Sequence, residues 1–453
     1  MKKILSTFII TMILFSSTLS FAAETKTFII TPESIRTQMF SSNMTLLQAL
    51  NNVEKSKLDV SMARAKLLPS LNLGLLIPAL ANPTFLLAQV SFLFPFLIPS
   101  NWAVLKQEKA LLEADRLAYK ALQLNILSNA LSLYYTYLND IQVQQIYSEQ
   151  STTLGLLYQS LKRQASVLGN VTTEDLNMAA AQWEESKIQV SKLQELLIEE
   201  RAALRTLLGL PLGALYDVKL VELAPTDFEL KSASEIAQRS LDVAPEMSQI
   251  GFLIKAAKAG KFAKVFGFIS SATVSGSSTD GSSAFSGLKA GGGFTIGADT
   301  FVNVKIGNNN IAAIQLREDQ LREENEKTAE IISGRIVEVK SQKDLTANAL
   351  RDRLKVYEAQ KKQYAIGLIP LQTLFLTQTQ LTASYVNNIK NDLDLKMQRL
   401  TLQRLVIDGD FAKVVGCKSS DKSFDTSFET SNDKKWFKKD PKESTTTLDD
   451  ICK

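Results

Sequence analysis

The sequence predicts a mainly α-helical chain built twice on one plan: helix, strand, strand, long helix, break, helix. Three observations predict it. Apolar stripes at three-and-four spacing run far beyond the length of an ordinary globular helix. Two separate stretches switch from that spacing to alternation by two. The order of these segments is the same in both halves, with a Gly break after each long helix, at Gly169 and Gly367.

The first residues form a unit of their own. Lys2 and Lys3 precede an apolar run from Ile4 to Phe15, and Ser20-Phe21-Ala22 offers small residues where a signal peptidase reads. This predicts a secretory signal peptide over 1–22. A membrane anchor is the competing reading, but the run is short for a span. No cysteine lies near the cleavage point, so no lipid anchor is expected there. Residues 23–43 are polar and lack a period, which reads as an extended N-terminal arm.

The first repeat occupies 44–211. Leu46, Leu47, Leu50, Val53, Leu58 and Met62 give a helical pattern that Pro69 ends. Leu71, Leu73, Leu75 and Ile77 then alternate, and so do Leu86, Ala88, Val90, Phe92 and Phe94, with Pro78 and Pro83 between. That predicts a hairpin with one greasy side; a hairpin buried in a soluble domain is the alternative. From Asn101 to about Leu168 the pattern is helical without Pro. A helix of ~65 residues would be ~100 Å long and needs a partner along its length. After Gly169-Asn170-Val171-Thr172-Thr173, with Thr173 as the cap, comes the clearest heptad. Leu176, Ala179, Trp183, Ser186, Val190, Leu193, Leu197, Glu200, Leu204 and Leu207 form one stripe, read as structural core. Gly209-Leu210-Pro211 stops it.

A mixed linker fills 212–232, and the second repeat spans 233–407. Pro245 breaks its first helix. Phe266 to Gly276 and Gly287 to Ala298 alternate around a Ser/Gly-rich turn. A long helix is predicted from about Asn310 to Ala365, shorter than its counterpart by ~11 residues, about three turns. Gly367-Leu368-Ile369-Pro370 breaks it. In the last helix Leu374, Leu381, Leu395, Leu402 and Leu405 hold the stripe, which Asn388 and Asn391 interrupt. The tail, 408–453, is rich in Lys, Asp, Ser and Thr and is expected to be loosely ordered. It carries both cysteines, Cys417 and Cys452. In an oxidising compartment they can pair; two free thiols are the alternative.

Composition excludes several function classes. The chain of 453 residues has a net charge of +4, which gives no footprint for nucleic acid. Its hydrophobic fraction of 45% is ordinary for a soluble protein and low for a helical membrane protein. It has no histidine, so the commonest general base and metal ligand are absent. No metal or cofactor site is expected. Gly291-Gly292-Gly293 lacks the Lys-Ser or Lys-Thr of a phosphate loop. Arg322-Glu323-Glu324-Asn325-Glu326 reads as a solvated helix face rather than a catalytic pair. No constellation supports an enzyme.

The plan itself implies assembly. Two hairpins give four strands, too few to close, and open strand edges cannot face lipid. Three chains would pool twelve strands into a closed barrel, with the long helices continuing beyond it.

The segments Ala63-Arg64-Ala65-Lys66-Leu67-Leu68-Pro69-Ser70-Leu71 and Leu204-Arg205-Thr206-Leu207-Leu208-Gly209-Leu210-Pro211 carry a resemblance. So do the turns Val167-Leu168-Gly169-Asn170-Val171 and Tyr364-Ala365-Ile366-Gly367-Leu368. Over about Met44 to Ile407 the sequence resembles the TolC-like outer membrane efflux protein family. The resemblance implies a homotrimer with a twelve-stranded β-barrel in outer-membrane lipid, continued by a periplasmic α-helical barrel. It implies a passive exit channel without a cofactor, serving an efflux pump or type I secretion system. An inner-membrane transporter and a periplasmic adaptor would be its partners. The adaptor would dock at the turns, on Gly169, Asn170, Val171, Gly367, Leu368 and Ile369. The family narrows its entrance with carboxylates past these turns. Asp175 matches the first gate position, and Tyr364 matches a gate-region tyrosine. Asp175 keeps a second reading, an acid that offsets a helix dipole. The second-repeat gate positions are Thr373 and Leu376, not acids, and the cysteine-bearing tail lies outside the family pattern. Two other classes compete: a periplasmic coiled-coil adaptor or other structural envelope protein, and a trimeric adhesin. An adaptor would show one helical hairpin between β-rich halves; an adhesin would gather its strands at the C-terminus.

Overall fold

The computed structural model describes residues 28–68, 95–167, 171–214, 216–266 and 298–416. The expected signal peptide, the first expected hairpin, the second but for its end residues Phe266 and Ala298, Gly169, Asn170, Cys417 and Cys452 lie outside the described residues.

The elements in order are β1 (Phe28–Ile30), α1 (Pro32–Ser42), α2 (Met44–Ala65), α3 (Pro99–Val167), α4 (Thr173–Leu207) and β2 (Tyr216–Val218). Then follow α5 (Ala233–Val243), α6 (Pro245–Val265), α7 (Ala298–Ala365), α8 (Leu371–Val406) and α9 (Asp410–Gly416). Two long helices organise the rest. The short helix α2 packs on the first part of α3 through Val60, Ala63, Leu105 and Leu112. The last part of α3 packs on α4 through Leu154, Leu161 and Ala179. In the second half α6 meets the start of α7, where Lys261 Nζ donates to Asn308 Oδ1 at 2.7 Å. Farther along, α8 meets the end of α7, where Lys343 Nζ donates to Asp392 Oδ1 at 2.5 Å.

The short helices meet end to end. Asn43 caps α2 by accepting from Leu46 N at 3.1 Å, and its Nδ2 donates to the carbonyl of Leu207 at the end of α4, at 2.8 Å. At the matching joint of the second half, Arg404 of α8 donates to Glu246 of α6 at 2.5 Å. Each long helix is thus lined by two short helices in series. At one end of the bundle α3 meets α6, where Gly260 leaves room for Gln107, and α6 meets α7. The chain enters and leaves 69–94 and 267–297 at that end.

A collar surrounds the middle. The parallel pair β1–β2 matches Phe28 with Tyr216 and Ile30 with Val218. With α1, the linker and α9 it encloses a core of Ile35, Leu124, Leu131, Tyr134, Leu208 and Phe411. Tyr134 Oη donates to the Lys219 carbonyl at 2.5 Å and accepts from Val221 N at 3.1 Å, pinning the linker to α3. Glu229, whose side chain is 2% exposed, joins the linker to both α7 and α8. It accepts from Lys340 Nζ at 2.7 Å and from Arg399 Nε at 2.8 Å.

Several expectations need correction. The N-terminal arm is not extended over its whole length: 32–42 is helical, started by Thr31, which accepts from Ser34 N, with Pro32 in the first turn. Thr172, not Thr173, caps α4. The second long helix begins at Ala298 rather than near Asn310, and its 68 residues match the 69 of α3. Gly307 and Asn308-Asn309-Asn310 hid that start. Gly307 lies inside the helix with the Lys261 side chain against it; an added Cβ would sit 2.8 Å from Lys261 Cγ. The tail does not loosen at 408, because α9 buries Phe411 and Val414 in the collar core. The break at Pro245 stands as expected, with Pro245 in the first turn of α6. The α4 stripe holds residue by residue: all ten positions, including Glu200, are buried or half-buried.

Candidate functional site

Two turns lie at the bundle end opposite the junctions with 69–94 and 267–297. One joins α3 to α4 and the other joins α7 to α8. A single apolar cluster ties them together: Leu154 and Leu161 of α3, Ala179 of α4, and Leu371 and Phe375 of α8. Val171 and Tyr364 are half-buried against it.

The start of α4 is capped tightly. Thr172 Oγ1 accepts from Asp175 N at 3.0 Å, while its hydroxyl donates to Asp175 Oδ2 at 2.8 Å. Asp175 therefore sits in the first turn, where a negative charge offsets the helix dipole. Its charge also reaches α7. Burial pushes the Tyr364 hydroxyl up from its ordinary value, and the nearby Asp175 carboxylate pushes it further in the same direction. The structure thus brings two predicted gate residues, Asp175 and Tyr364, into one electrostatic neighbourhood.

Thr373 and Leu376 occupy the first turns of α8. Thr373 is half-buried; its N–H donates to the Pro370 carbonyl at 3.1 Å and its carbonyl accepts from Thr377 Oγ1 at 3.0 Å. Leu376 points to solvent, at 59% exposure.

The α7–α8 turn ends its helix through glycine. Gly367 has φ +75°; its N–H donates to the Tyr364 carbonyl at 2.9 Å, and Leu368 N donates to the Gln363 carbonyl at 2.9 Å. This pairing satisfies the last free carbonyls and requires a left-handed residue at Gly367. Ile366 and Leu368 are then thrust outward, as is Val167 at the end of α3. Ile369 is half-buried. The tip therefore exposes Val167, Ile366 and Leu368 beside two capped helix ends.

Sequence reasoning passed over one part of this end. Gly155 of α3 receives the indole of Trp183; an added Cβ would lie 2.8 Å from Trp183 Nε1. The ring stacks on Tyr158, with centroids 5.6 Å apart, and Lys187 Nζ lies 4.1 Å over its centre. A lone Gly inside an unbroken helical pattern was the available signal. Among the described residues no cluster of metal-ligand side chains occurs, and no helix is long and apolar enough to cross a membrane. The latter says nothing of a β-barrel.

No protein-family model and no curated protein matches the chain. Solved structures do. The chain is similar to the CmeC outer membrane channel of Campylobacter jejuni at 14% identity and TM-score 0.67, over 83% of this chain and 85% of that one. It is similar to CusC, studied for transmembrane channel formation, at 15% identity and TM-score 0.64, over 86% of this chain and 95% of that one. It is similar to the outer membrane protein VceC of Vibrio cholerae at 10% identity and TM-score 0.62, over 83% of this chain and 95% of that one. The chain has the fold of these outer membrane channel proteins.

Proposed function

We propose that this chain is one third of a passive exit channel in an outer membrane. Three chains would pool the hairpins expected in 69–94 and 267–297 into a closed twelve-stranded barrel. The helices would continue that barrel as a tube through the periplasm. The observation that carries the reading is the placement of parts. Both hairpin segments leave the bundle at one end, and both helix turns, with their outward apolar residues, lie at the other. The shared fold supports it. So do Ile188 and Ile198 on α4, and Val337 and Leu345 on α7, each more than half exposed in the single chain and available to neighbouring copies.

In this reading the tube hydrolyses nothing. An inner-membrane transporter supplies the energy, and a periplasmic adaptor docks on the turns at 167–171 and 366–369 and favours a dilated arrangement of the helices. Asp175 of three chains would form a ring at the entrance that attracts cations and resists anions. Asp175→Asn keeps the shape of the side chain and removes the charge. It should lower the cation preference of reconstituted channels, measured as the reversal potential in a salt gradient. An unchanged reversal potential would sink the gate role and leave Asp175 as a cap.

A further inference from the structure

Glu200 lies in the apolar stripe of α4, in the seam with α3, and is only 8% exposed. A carboxylate in such a place needs a cation or several N–H donors. Its Oε2 is instead buried with no hydrogen-bond partner. The group within hydrogen-bonding reach is another acid, Asp140 of α3. Asp140 Oδ1 also accepts from Asn139 Nδ2, at 3.3 Å.

Other charged and titratable groups surround the pair, Arg205 of α4 among them, which acts on Tyr216. Arg201, the next residue of α4, lies over the Tyr216 ring at 4.8 Å and donates to the Tyr216 carbonyl at 3.4 Å. Tyr137 of α3 and Tyr216 of β2 are pushed up by burial and stay neutral. Asp217 of β2 acts on Tyr137 and adds a further negative charge to the region.

Two ionised carboxylates cannot donate to each other. One proton between them turns one into a donor and removes one of two like charges from an apolar seam. We propose that Glu200 and Asp140 share a proton and act as a proton-operated latch across the α3–α4 seam, closed while the proton is held and loosened when it leaves. Glu200 is buried and Asp140 half-buried, so Glu200 carries the proton. Burial first, and the Asp140 charge second, push the Glu200 carboxyl up to about 8. Because the folded value is raised, the latch contributes fully below the unfolded carboxyl value and is lost as pH rises through about 8. The proposal rests on the α3–α4 seam alone and stands apart from the transport reading.

The test uses the full mature chain in detergent, as wild type and as Glu200→Gln, from about pH 6 to about pH 9. Glutamine keeps the shape and donates permanently to Asp140. The wild-type thermal midpoint should fall by a few degrees over this range and amide exchange along α4 should quicken. Glu200→Gln should remove most of both changes. Infrared spectra of the wild type supply a readout that needs no variant to fold. A protonated-carboxyl band should be present at neutral pH and disappear as pH rises through about 8. Absence of that band at neutral pH would overturn the latch, as would identical pH profiles in the two proteins. A wild-type midpoint that drops on chelation and recovers with calcium would overturn it too, by putting a metal ion where the proton is proposed.

Discussion

Replacing Gly209 by alanine should be among the most damaging single changes in the chain. Gly209 closes α4 with φ +62°, its N–H donating to the Thr206 carbonyl at 3.1 Å and that of Leu210 to the Arg205 carbonyl at 3.0 Å. A left-handed alanine costs about 1–2 kcal/mol before any contact is considered. Here contact matters more. An added Cβ would lie 2.4 Å from the Ser42 carbonyl oxygen and 2.7 Å from Ser42 Cβ. Both belong to the end of α1, beside the joint where Asn43 holds Leu207. Backbone cannot swing aside as a side chain can, so overpacking adds roughly 1–3 kcal/mol. The sum, ~2–5 kcal/mol, should appear as a lowered unfolding midpoint. Gly213→Ala is the control: its φ is +85° with nothing within 4 Å, so only the conformational part should be lost. Equal losses in the two variants would contradict the steric account.

Removing Glu229 should do comparable harm by a different route. Its buried carboxylate holds Lys340 of α7 and Arg399 of α8 to the linker. Truncation to alanine leaves a guanidinium that is 19% exposed without its acid, whereas Lys340, at 40%, can turn to water. Breaking a fully buried pair costs about 3–5 kcal/mol; with one partner half exposed, ~2–4 kcal/mol is expected. The acid also sets a pH dependence. Burial alone would raise the Glu229 carboxyl, but the hydrogen bonds from Lys340 and Arg399 outweigh it and hold it below the ordinary range. A lowered carboxyl contributes stability above its unfolded value and loses it as pH falls through the folded one. Glu229→Gln should therefore be less stable than wild type at neutral pH and should converge on it in acid. A gap that stays constant from neutral to acid pH would show that the ion pairs are not what Glu229 supplies.

What could be read from the sequence was whatever repeats at close range. The α4 stripe from Leu176 to Leu207 was legible because each member follows the last by three or four residues, and a helix turns that spacing into a face. The stops at Gly209 and Gly367 were legible because a left-handed cap asks for glycine. Helix α1 was missed although Thr31, Pro32 and Ser34 spelled out its start, because eleven residues give too few turns for a period to stand out. The pairing of Phe28–Ile30 with Tyr216–Val218 was illegible: each strand has three residues, and their partners lie across the whole first repeat. The same distance hid Glu229 and its cations. Glu200 was legible as a stripe position, but that it faces Asp140 depends on how α3 and α4 register, which a single sequence does not state. At the tip, sequence placed Asp175 and Tyr364 in the same region through a family pattern. Their electrostatic contact came only from packing.

The most direct test of the channel reading is single-channel recording of the detergent-purified mature protein in a planar bilayer, with the mass of the inserted species measured alongside. Stable unitary conductance steps from a three-chain assembly are the predicted result. A soluble, elongated monomer that never conducts would contradict it and turn the reading toward a periplasmic coiled-coil adaptor.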